Sequence, residues 1–198
     1  PAVIAGKLVV GGWVTDGQIT GSPSGVIRAF DAVSGTFAWA WDMGRPERSS
    51  EPGPGETYTP GTPNSWSVMS VDEELGLVYV PTGNATPDYH SGHRSTQMDR
   101  YSSSVVALDG STGRPRWAFQ TVHRDLWDYD VGSQPVLVDL ADGRPALIQP
   151  TKRGELFLLD RRTGDPIAPV AERKVPVSTV AGERASATQP FSIGMPSF

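Results

Sequence analysis

A ten-residue stretch of this sequence concentrates side chains that can do chemistry. It reads Thr121-Val122-His123-Arg124-Asp125-Leu126-Trp127-Asp128-Tyr129-Asp130 and holds three carboxylates, two large aromatic rings, a histidine and an arginine. Strand alternation would place Leu126, Asp128 and Asp130 on one face, which is a poor pattern for a half-buried strand. Carboxylates packed this densely repel one another unless a cation or a shared proton relieves them. The stretch is therefore predicted to be a functional site first and a structural element second.

Composition limits the classes of protein to which the chain can belong. With 22 glycines and 18 prolines in 198 residues, the chain is expected to form many short strands joined by turns rather than long helices. A net charge of -5 without a basic cluster argues against nucleic acid or an anionic membrane face as a partner. Because cysteine is absent, a metal would have to be held by oxygen or imidazole ligands.

The two ends of the chain suggest a piece of a larger protein. The sequence begins at Pro1 directly in a strand-like pattern and stops at Phe198 after a stretch rich in Ser, Thr, Ala and Pro. No apolar run approaches the roughly 20 residues that span a bilayer. We expect this segment to be soluble, and to reach a membrane only through parts outside this chain.

One hairpin pattern occurs three times. The copies are Asp31-Gly35-Trp39, Asp109-Gly113-Trp117 and Asp160-Gly164-Ala168, with the same spacing in each. Aspartate is suited to open a turn, and glycine to occupy a turn position that needs positive φ. The second and third aspartates are 51 residues apart and the first two are 78 apart, because two insertions lengthen the first interval. A repeat near 50 residues with about four short strands is typical of a propeller blade.

The repeats indicate one fragment of a single propeller domain over residues 1–198. We place its three blades at roughly 1–41, 66–120 and 134–170, and two insert loops at 42–65 and 84–100. Long loops on a regular repeat are usually where function resides. After Val170 the periodicity fades, and no strand is predicted there.

Several segments resemble one family. The repeat Ala29-x-Asp31-x-x-Ser34-Gly35-x-x-x-Trp39 resembles the tryptophan-docking motif of the eight-bladed pyrroloquinoline quinone (PQQ) dehydrogenases, in which the tryptophan of one blade packs on the turn of its neighbour. Segments similar to the active-site segments of that family are Pro81-Thr82-Gly83-Asn84, Leu126-Trp127-Asp128-Tyr129-Asp130 and Gln149-Pro150-Thr151-Lys152-Arg153-Gly154. Segments similar to its membrane-bound glucose and quinate dehydrogenase branch are Pro63–Trp66, Thr121–Asp128, Leu159–Gly164 and Thr188–Ser192. The resemblance implies an all-β fold, a partial eight-bladed β-propeller with about three of the eight blades.

The resemblance also implies roles for individual residues. In this family a divalent cation and a cationic side chain polarise the reactive carbonyl of PQQ, while a carboxylate takes the proton of the substrate hydroxyl. Asp128 matches the catalytic base, which also lies at the metal. Lys152 matches the catalytic lysine that binds the cofactor's oxygens, and Trp66 matches the ring beneath the quinone. Asn84 matches an amide ligand of Ca²⁺ or Mg²⁺.

Two further acidic residues have less specific implied roles. Asp16 matches a cofactor-binding position, although Gly17 stands where the glucose branch has asparagine. Asp130 could add another carboxylate to the metal. Trp127 is expected to pack between blades. Asn84 is also a common turn residue, and Trp66 would equally suit a core.

The function that these resemblances imply is oxidation of a sugar or cyclic polyol, similar to glucose or quinate, by hydride transfer to PQQ. Electrons would then pass to ubiquinone at the periplasmic face of the inner membrane, and this segment alone would be inactive. Two alternatives remain open from the sequence. One is a non-catalytic propeller scaffold built from the same repeats, and the other is a calcium-dependent carbohydrate-binding module.

Overall fold

Three antiparallel sheets follow one another along the chain in a computed structural model that describes residues 1–17 and 19–198. The first sheet contains β1 (Ala2–Ile4), β2 (Lys7–Val10), β3 (Ile27–Asp31) and β4 (Phe37–Trp41). The second contains β5 (Ser70–Asp72), β6 (Leu77–Pro81), β7 (Ser104–Asp109) and β8 (Pro115–Gln120). The third contains β9 (Val136–Asp139), β10 (Pro145–Pro150) and β11 (Leu156–Asp160). In every sheet the strands lie in sequence order, which is the meander expected from the repeats.

Two elements were not predicted from the sequence. The insert at 84–100 leads into the short helix α1 (Thr96–Tyr101), which begins after Ser95 because the Ser95 hydroxyl accepts a hydrogen bond from Met98 N at 3.2 Å. Beyond Val170 the chain forms a hairpin of β12 (Val170–Lys174) and β13 (Thr188–Ser192). The last three residues of β12 are exposed, so the hairpin lacks the apolar alternation that would have revealed it.

The middle sheet is buried on both faces. In β6 the side chains of Val78 and Val80 join a core cluster with the first sheet, in which the largest side chains are Trp39 and Trp41. Leu77, Tyr79 and their neighbours in β7 face the other way, into a cluster with Leu147, Phe157 and Leu159 of the third sheet. Strands with two buried faces read as continuous apolar runs, as β6 and β7 do.

Tryptophan side chains join each sheet to the next. Trp39 Nε1 donates a hydrogen bond to Gly110 O at 3.0 Å, in the turn between β7 and β8. Trp117 Nε1 donates in the same way to Arg161 O at 3.2 Å, in the turn after β11. The ring of Trp117 lies directly on Gly164, where a Cβ atom would come within 2.6 Å of its Cε3 atom.

The turns that receive the indoles are shaped by the repeated aspartates. Asp109 Oδ1 accepts hydrogen bonds from Ser111 N at 3.0 Å and Thr112 N at 2.9 Å, which closes the turn after β7. Gly113 then adopts a φ of +71°, a left-handed conformation that glycine enters without steric penalty. The aspartate and glycine of the repeat therefore shape the turn against which the tryptophan of the preceding sheet packs.

No helix among the described residues has the length and apolar character needed to cross a bilayer.

Replacing Gly164 with alanine is expected to destabilise the whole protein more than the same change at Gly143. Both glycines have positive φ, +79° and +81°, so both variants carry the left-handed strain of an L-residue. Only at Gly164 does the new methyl group collide with an indole, whereas no described atom lies within 4 Å of a Cβ at Gly143. We expect Gly164→Ala to lose about 1–3 kcal/mol more, measured by denaturant or thermal unfolding. Equal losses would show that the indole does not press on this turn.

Candidate active site

Strand direction brings the predicted site residues to one edge of the sheets. In an antiparallel meander alternate strands run the same way, so the carboxyl ends of β6 and β8 lie together. Asn84 follows β6, the 121–130 stretch follows β8, and Lys152 follows β10 in the next sheet. A hydrogen bond from Val131 N to Thr82 O, 3.1 Å long, ties the two loops of the middle sheet together at this edge.

Lys152 is the centre of the contacts at this edge. Its Nζ atom donates to the main-chain oxygen of Asp128 at 3.0 Å and lies 3.4 Å from Asp128 Oδ1. The same ammonium makes an ion pair with Asp130 Oδ1, while Asp130 Oδ2 accepts a hydrogen bond from Trp66 Nε1 at 2.5 Å. Lys152 Nζ is also 5.8 Å from the centre of the Trp66 ring. Four of the residues singled out by the sequence therefore form one contact cluster.

The charges of this cluster depend on one another. Asp130 is only 3% exposed, and this burial raises its pKa. The hydrogen bonds from Lys152 and Trp66 favour the carboxylate and lower the pKa, but burial has the larger effect. Burial alone would lower the pKa of Lys152, but Asp130 and then Asp128 outweigh that effect and raise the pKa. Lys152 is thus held as an ammonium ion.

Asp128 presents its carboxylate to the open side of the site. Its side chain is 43% exposed, and its backbone has a φ of +59°, in the left-handed region that few non-glycine residues enter. Such backbone conformations often occur at functional sites, where surrounding contacts hold them. Here the contact is the hydrogen bond from Lys152 to the Asp128 carbonyl oxygen.

Asn84 is fully buried and its amide group has a fixed orientation. The Nδ2 atom donates to two main-chain oxygens, Asp88 O at 3.1 Å and Asp125 O at 3.0 Å. Its Oδ1 atom accepts from Ala85 N at 3.0 Å. Because the nitrogen is committed to two carbonyls, the oxygen faces the opposite direction and can serve as a ligand there.

Asp16 joins the same region through a residue that was not singled out from the sequence. Asn64 Nδ2 donates to Asp16 Oδ2 at 3.0 Å, and Asn64 O accepts from Gly83 N at 2.7 Å. Asp16 is therefore linked to the turn that carries Asn84.

Asp88 is an acidic member of the site that the motifs did not reveal. It is buried, and that burial, with repulsion from Asp16, Asp128 and Asp130, raises the pKa of Asp88 to about 7. It lies in the 84–100 insert, which its length had marked as functional, but no motif distinguished it from its neighbours. The site thus holds four carboxylates, of which Asp88 is repelled by the other three.

The Trp127 side chain of the 121–130 stretch differs from expectation. Trp127 is 50% exposed and lies beside Tyr129, with ring centres 6.3 Å apart, rather than packing between two sheets of this chain. These two rings line an apolar groove together with Phe191 of β13. The hairpin that was not predicted therefore forms one wall beside the site.

The chemistry of the donor set fits a hard divalent cation. Among the described residues, no group of three or more His, Cys, Asp or Glu side chains is arranged to hold a metal. Two buried oxygens, Asn64 Oδ1 and Asp88 Oδ1, lack a hydrogen-bond partner within the described part of the chain. Carboxylate and amide oxygens are the ligands that Ca²⁺ and Mg²⁺ take in proteins.

The aromatic ring at this edge fits a planar quinone. Trp66 is 42% exposed, and the far end of its indole lies near Gly132, where a Cβ atom would be 3.0 Å from Cη2. An accessible indole face beside an ammonium ion suits a flat, anionic ligand.

Comparison with known proteins identifies the family. The model of one protein family, described as "PQQ: Glucose/ethanol/alcohol dehydrogenase, beta-propeller domain", matches residues 1–198. The chain belongs to this family. The glycerol dehydrogenase large subunit of Gluconobacter oxydans is 56% identical over 201 residues, covering 99% of the chain and 27% of that protein. Quinoprotein glucose dehydrogenase A of Acinetobacter calcoaceticus is 43% identical over 202 residues, covering 97% of the chain and 25% of that protein.

The chain therefore spans about a quarter of the length of the curated relatives that it matches. Among solved structures, the quinohemoprotein alcohol dehydrogenase of Comamonas testosteroni matches with a TM-score of 0.66 and 28% identity, over 96% of this chain and 30% of that one. The expected all-β fold, a partial β-propeller of PQQ dehydrogenase type, is confirmed.

Breaking the pair of Lys152 and Asp130 is expected to destabilise the whole protein, measured without PQQ. Lys152→Met leaves the buried Asp130 carboxylate without its cation and should lower stability by roughly 1–3 kcal/mol, since Lys152 itself remains partly exposed. Adding Asp130→Asn removes the unpaired charge and should recover part of the loss, visible as a higher unfolding midpoint. Lys174→Met, at an exposed position of β12, is the control for the loss of a lysine charge. Strictly additive effects of the two changes would contradict this coupling.

Proposed function

We propose that the protein containing this chain is a PQQ-dependent dehydrogenase that oxidises a CH–OH group of a sugar or polyol. The observation that carries the proposal is the contact cluster of Lys152 with Asp128, Asp130 and Trp66 at one edge of the sheets. It combines a partly exposed carboxylate, a fixed ammonium ion and an accessible aromatic ring. These are the groups that proton abstraction and charge stabilisation next to a bound quinone require.

The substrate class follows from the relatives. One is named for glycerol and the other for glucose, so a polyhydroxylated substrate is common to both. Because glycerol is acyclic, the class is broader than the cyclic polyols suggested by the sequence motifs. We propose a sugar or polyol, cyclic or open-chain.

Each residue at the site has a proposed task. Bound PQQ would supply the carbonyl that accepts hydride from the substrate carbon. Asp128 takes the proton from the substrate hydroxyl, since its carboxylate is the accessible one in the cluster. Lys152 binds the cofactor's oxygen atoms and compensates negative charge there. Trp66 supports the ring system of the cofactor, and Asp16 lies at the border of the cofactor site.

Asn84, Asp128 and Asp130 are the proposed ligands of a divalent cation, Ca²⁺ or Mg²⁺, which would supply Lewis-acid polarisation. Asn84 offers its oriented amide oxygen and Asp128 its exposed carboxylate. Asp130 is held by Lys152 and Trp66 in this structure, so it would contribute to the cation while remaining their partner.

The electron acceptor and location follow from the resemblance to the membrane-bound glucose and quinate dehydrogenases. We propose that electrons pass to ubiquinone at the periplasmic face of the inner membrane. The segments that would reach the membrane belong to other parts of the protein.

Asp128→Asn in the whole protein is the direct test of the catalytic assignment. Asparagine tolerates the left-handed backbone at this position and nearly matches aspartate in volume, but it cannot accept the substrate proton. We expect kcat to fall roughly 10²- to 10⁴-fold in a dye-linked dehydrogenase assay with saturating PQQ and Ca²⁺.

Asp142→Asn is the matched control, because Asp142 lies in an exposed turn and pairs only with Arg144 among the described residues. Full activity of Asp128→Asn would overturn the assignment of the base. Titration of the whole protein with PQQ, followed by absorbance, tests the broader proposal. A scaffold or a carbohydrate-binding module would bind none of the quinone.

A further inference from the structure

Arg94 is a buried cation whose side-chain hydrogen bonds, within the described part of the chain, go to main-chain oxygens. It lies in the insert between β6 and β7 and is 2% exposed. These side-chain hydrogen bonds go to three carbonyl oxygens. Arg94 Nη1 donates to Asp125 O at 2.8 Å, and Nη2 donates to Pro87 O at 2.8 Å and Asp88 O at 3.0 Å. Burying a guanidinium is unfavourable, and here carboxylates, Asp125 and Asp99 first, offset only part of that cost, since burial still lowers the pKa of Arg94.

Two of these three oxygens are also the acceptors of Asn84. Asp88 O and Asp125 O each receive one hydrogen bond from Arg94 and one from Asn84 Nδ2. A reversed Asn84 amide would place its oxygen against both carbonyls, which is repulsive. The two carbonyls thus select one amide orientation, and Arg94 fixes where the carbonyls lie.

The two carbonyls belong to different loops. Asp88 is in the insert that follows β6, whereas Asp125 lies three residues before Asp128 in the stretch that follows β8. Asp125 is itself rigid, because its carboxylate accepts hydrogen bonds from Ser103 Oγ at 2.8 Å and Trp127 N at 2.9 Å. Arg94 therefore sets the position of the loop carrying Asn84 relative to the loop carrying Asp128.

We propose that Arg94 is a positioning residue that orients the Asn84 amide and sets the separation between Asn84 and Asp128, and that it thereby determines the affinity for the divalent cation. It does not touch the cation. The inference rests on the proposed function, in which Asn84 and Asp128 are ligands. Arginine suits this task because its planar fork reaches several fixed acceptors at once, whereas lysine offers a single point charge on a flexible stem.

Ca²⁺ titration of the metal-depleted whole protein with saturating PQQ, followed by calorimetry, tests the proposal. Arg94→Lys should raise the Kd for Ca²⁺ about 10- to 100-fold, the usual effect of losing a residue that orients a metal ligand. At saturating Ca²⁺ its kcat should return to within a few-fold of the unchanged protein, since no reacting group is lost. Arg116→Lys, at an exposed position of β8, should change neither value.

A double-mutant cycle with Asn84→Ala separates positioning from general stability. If Arg94 acts through Asn84, then Arg94→Lys should have little further effect on the Kd for Ca²⁺ when Asn84 is already alanine. An unchanged Kd in Arg94→Lys, or a fully additive increase in the double variant, would overturn the proposal.

Arg94→Gln, whose planar amide keeps two donors, replaces Arg94→Lys if the latter does not fold. Failure of both variants to fold would assign Arg94 to folding alone and overturn the positioning role. Absence of Ca²⁺ or PQQ binding by the unchanged protein is a different result, because it would overturn the proposed function and this inference with it.

Discussion

The packing of the Trp117 indole on the turn after β11 is the contact on which the site depends. Asp128 follows β8 of the middle sheet, whereas Lys152 follows β10 of the third sheet. The hydrogen bond and ion contact between these residues therefore cross a boundary between sheets. The boundary is fixed by the indole, its hydrogen bond to Arg161 O and its close contact with Gly164. A rotation of one sheet against the other would therefore move Asp128 away from Lys152.

An excess of negative charge characterises the site that this packing assembles. Asp88 is repelled by Asp16, Asp128 and Asp130 and attracted by Arg94, whereas Asp130 is repelled by Asp128 and attracted by Lys152. Burial, with this repulsion as a smaller cause, raises the pKa values of Asp88 and Asp130. An acidic, partly buried site of this kind favours a divalent cation, because such an ion relieves several carboxylates at once.

Much of this organisation could be predicted from the sequence, because local rules with fixed spacing produce it. Aspartate opens the repeated turn, glycine takes its left-handed position, and tryptophan follows at a constant distance, so the sheets and their docking were visible as a repeat. Asp128, Lys152 and Trp66 were found because motifs mark them, and the structure brings them into contact. Their chemical roles remain proposals.

Arg94 could not be predicted in this way. It acts through carbonyl oxygens, and every residue has one, so its partners leave no pattern in the sequence. Asp88 was missed because its raised pKa arises from burial and from carboxylates distant along the chain, neither of which a local motif reveals. The hairpin of β12 and β13 was missed because the last three residues of β12 are exposed, so the strand lacks an apolar alternation.

The dependence of Arg94 on main-chain atoms has an evolutionary consequence. When two side chains form a pair, a change in one can be balanced by a change in the other, and related sequences then vary at both positions together. No substitution at positions 87, 88 or 125 can remove or restore a peptide oxygen. The loss of Arg94 therefore cannot be balanced through these three hydrogen-bond acceptors, and these bonds alone predict no covariation between position 94 and positions 87, 88 and 125.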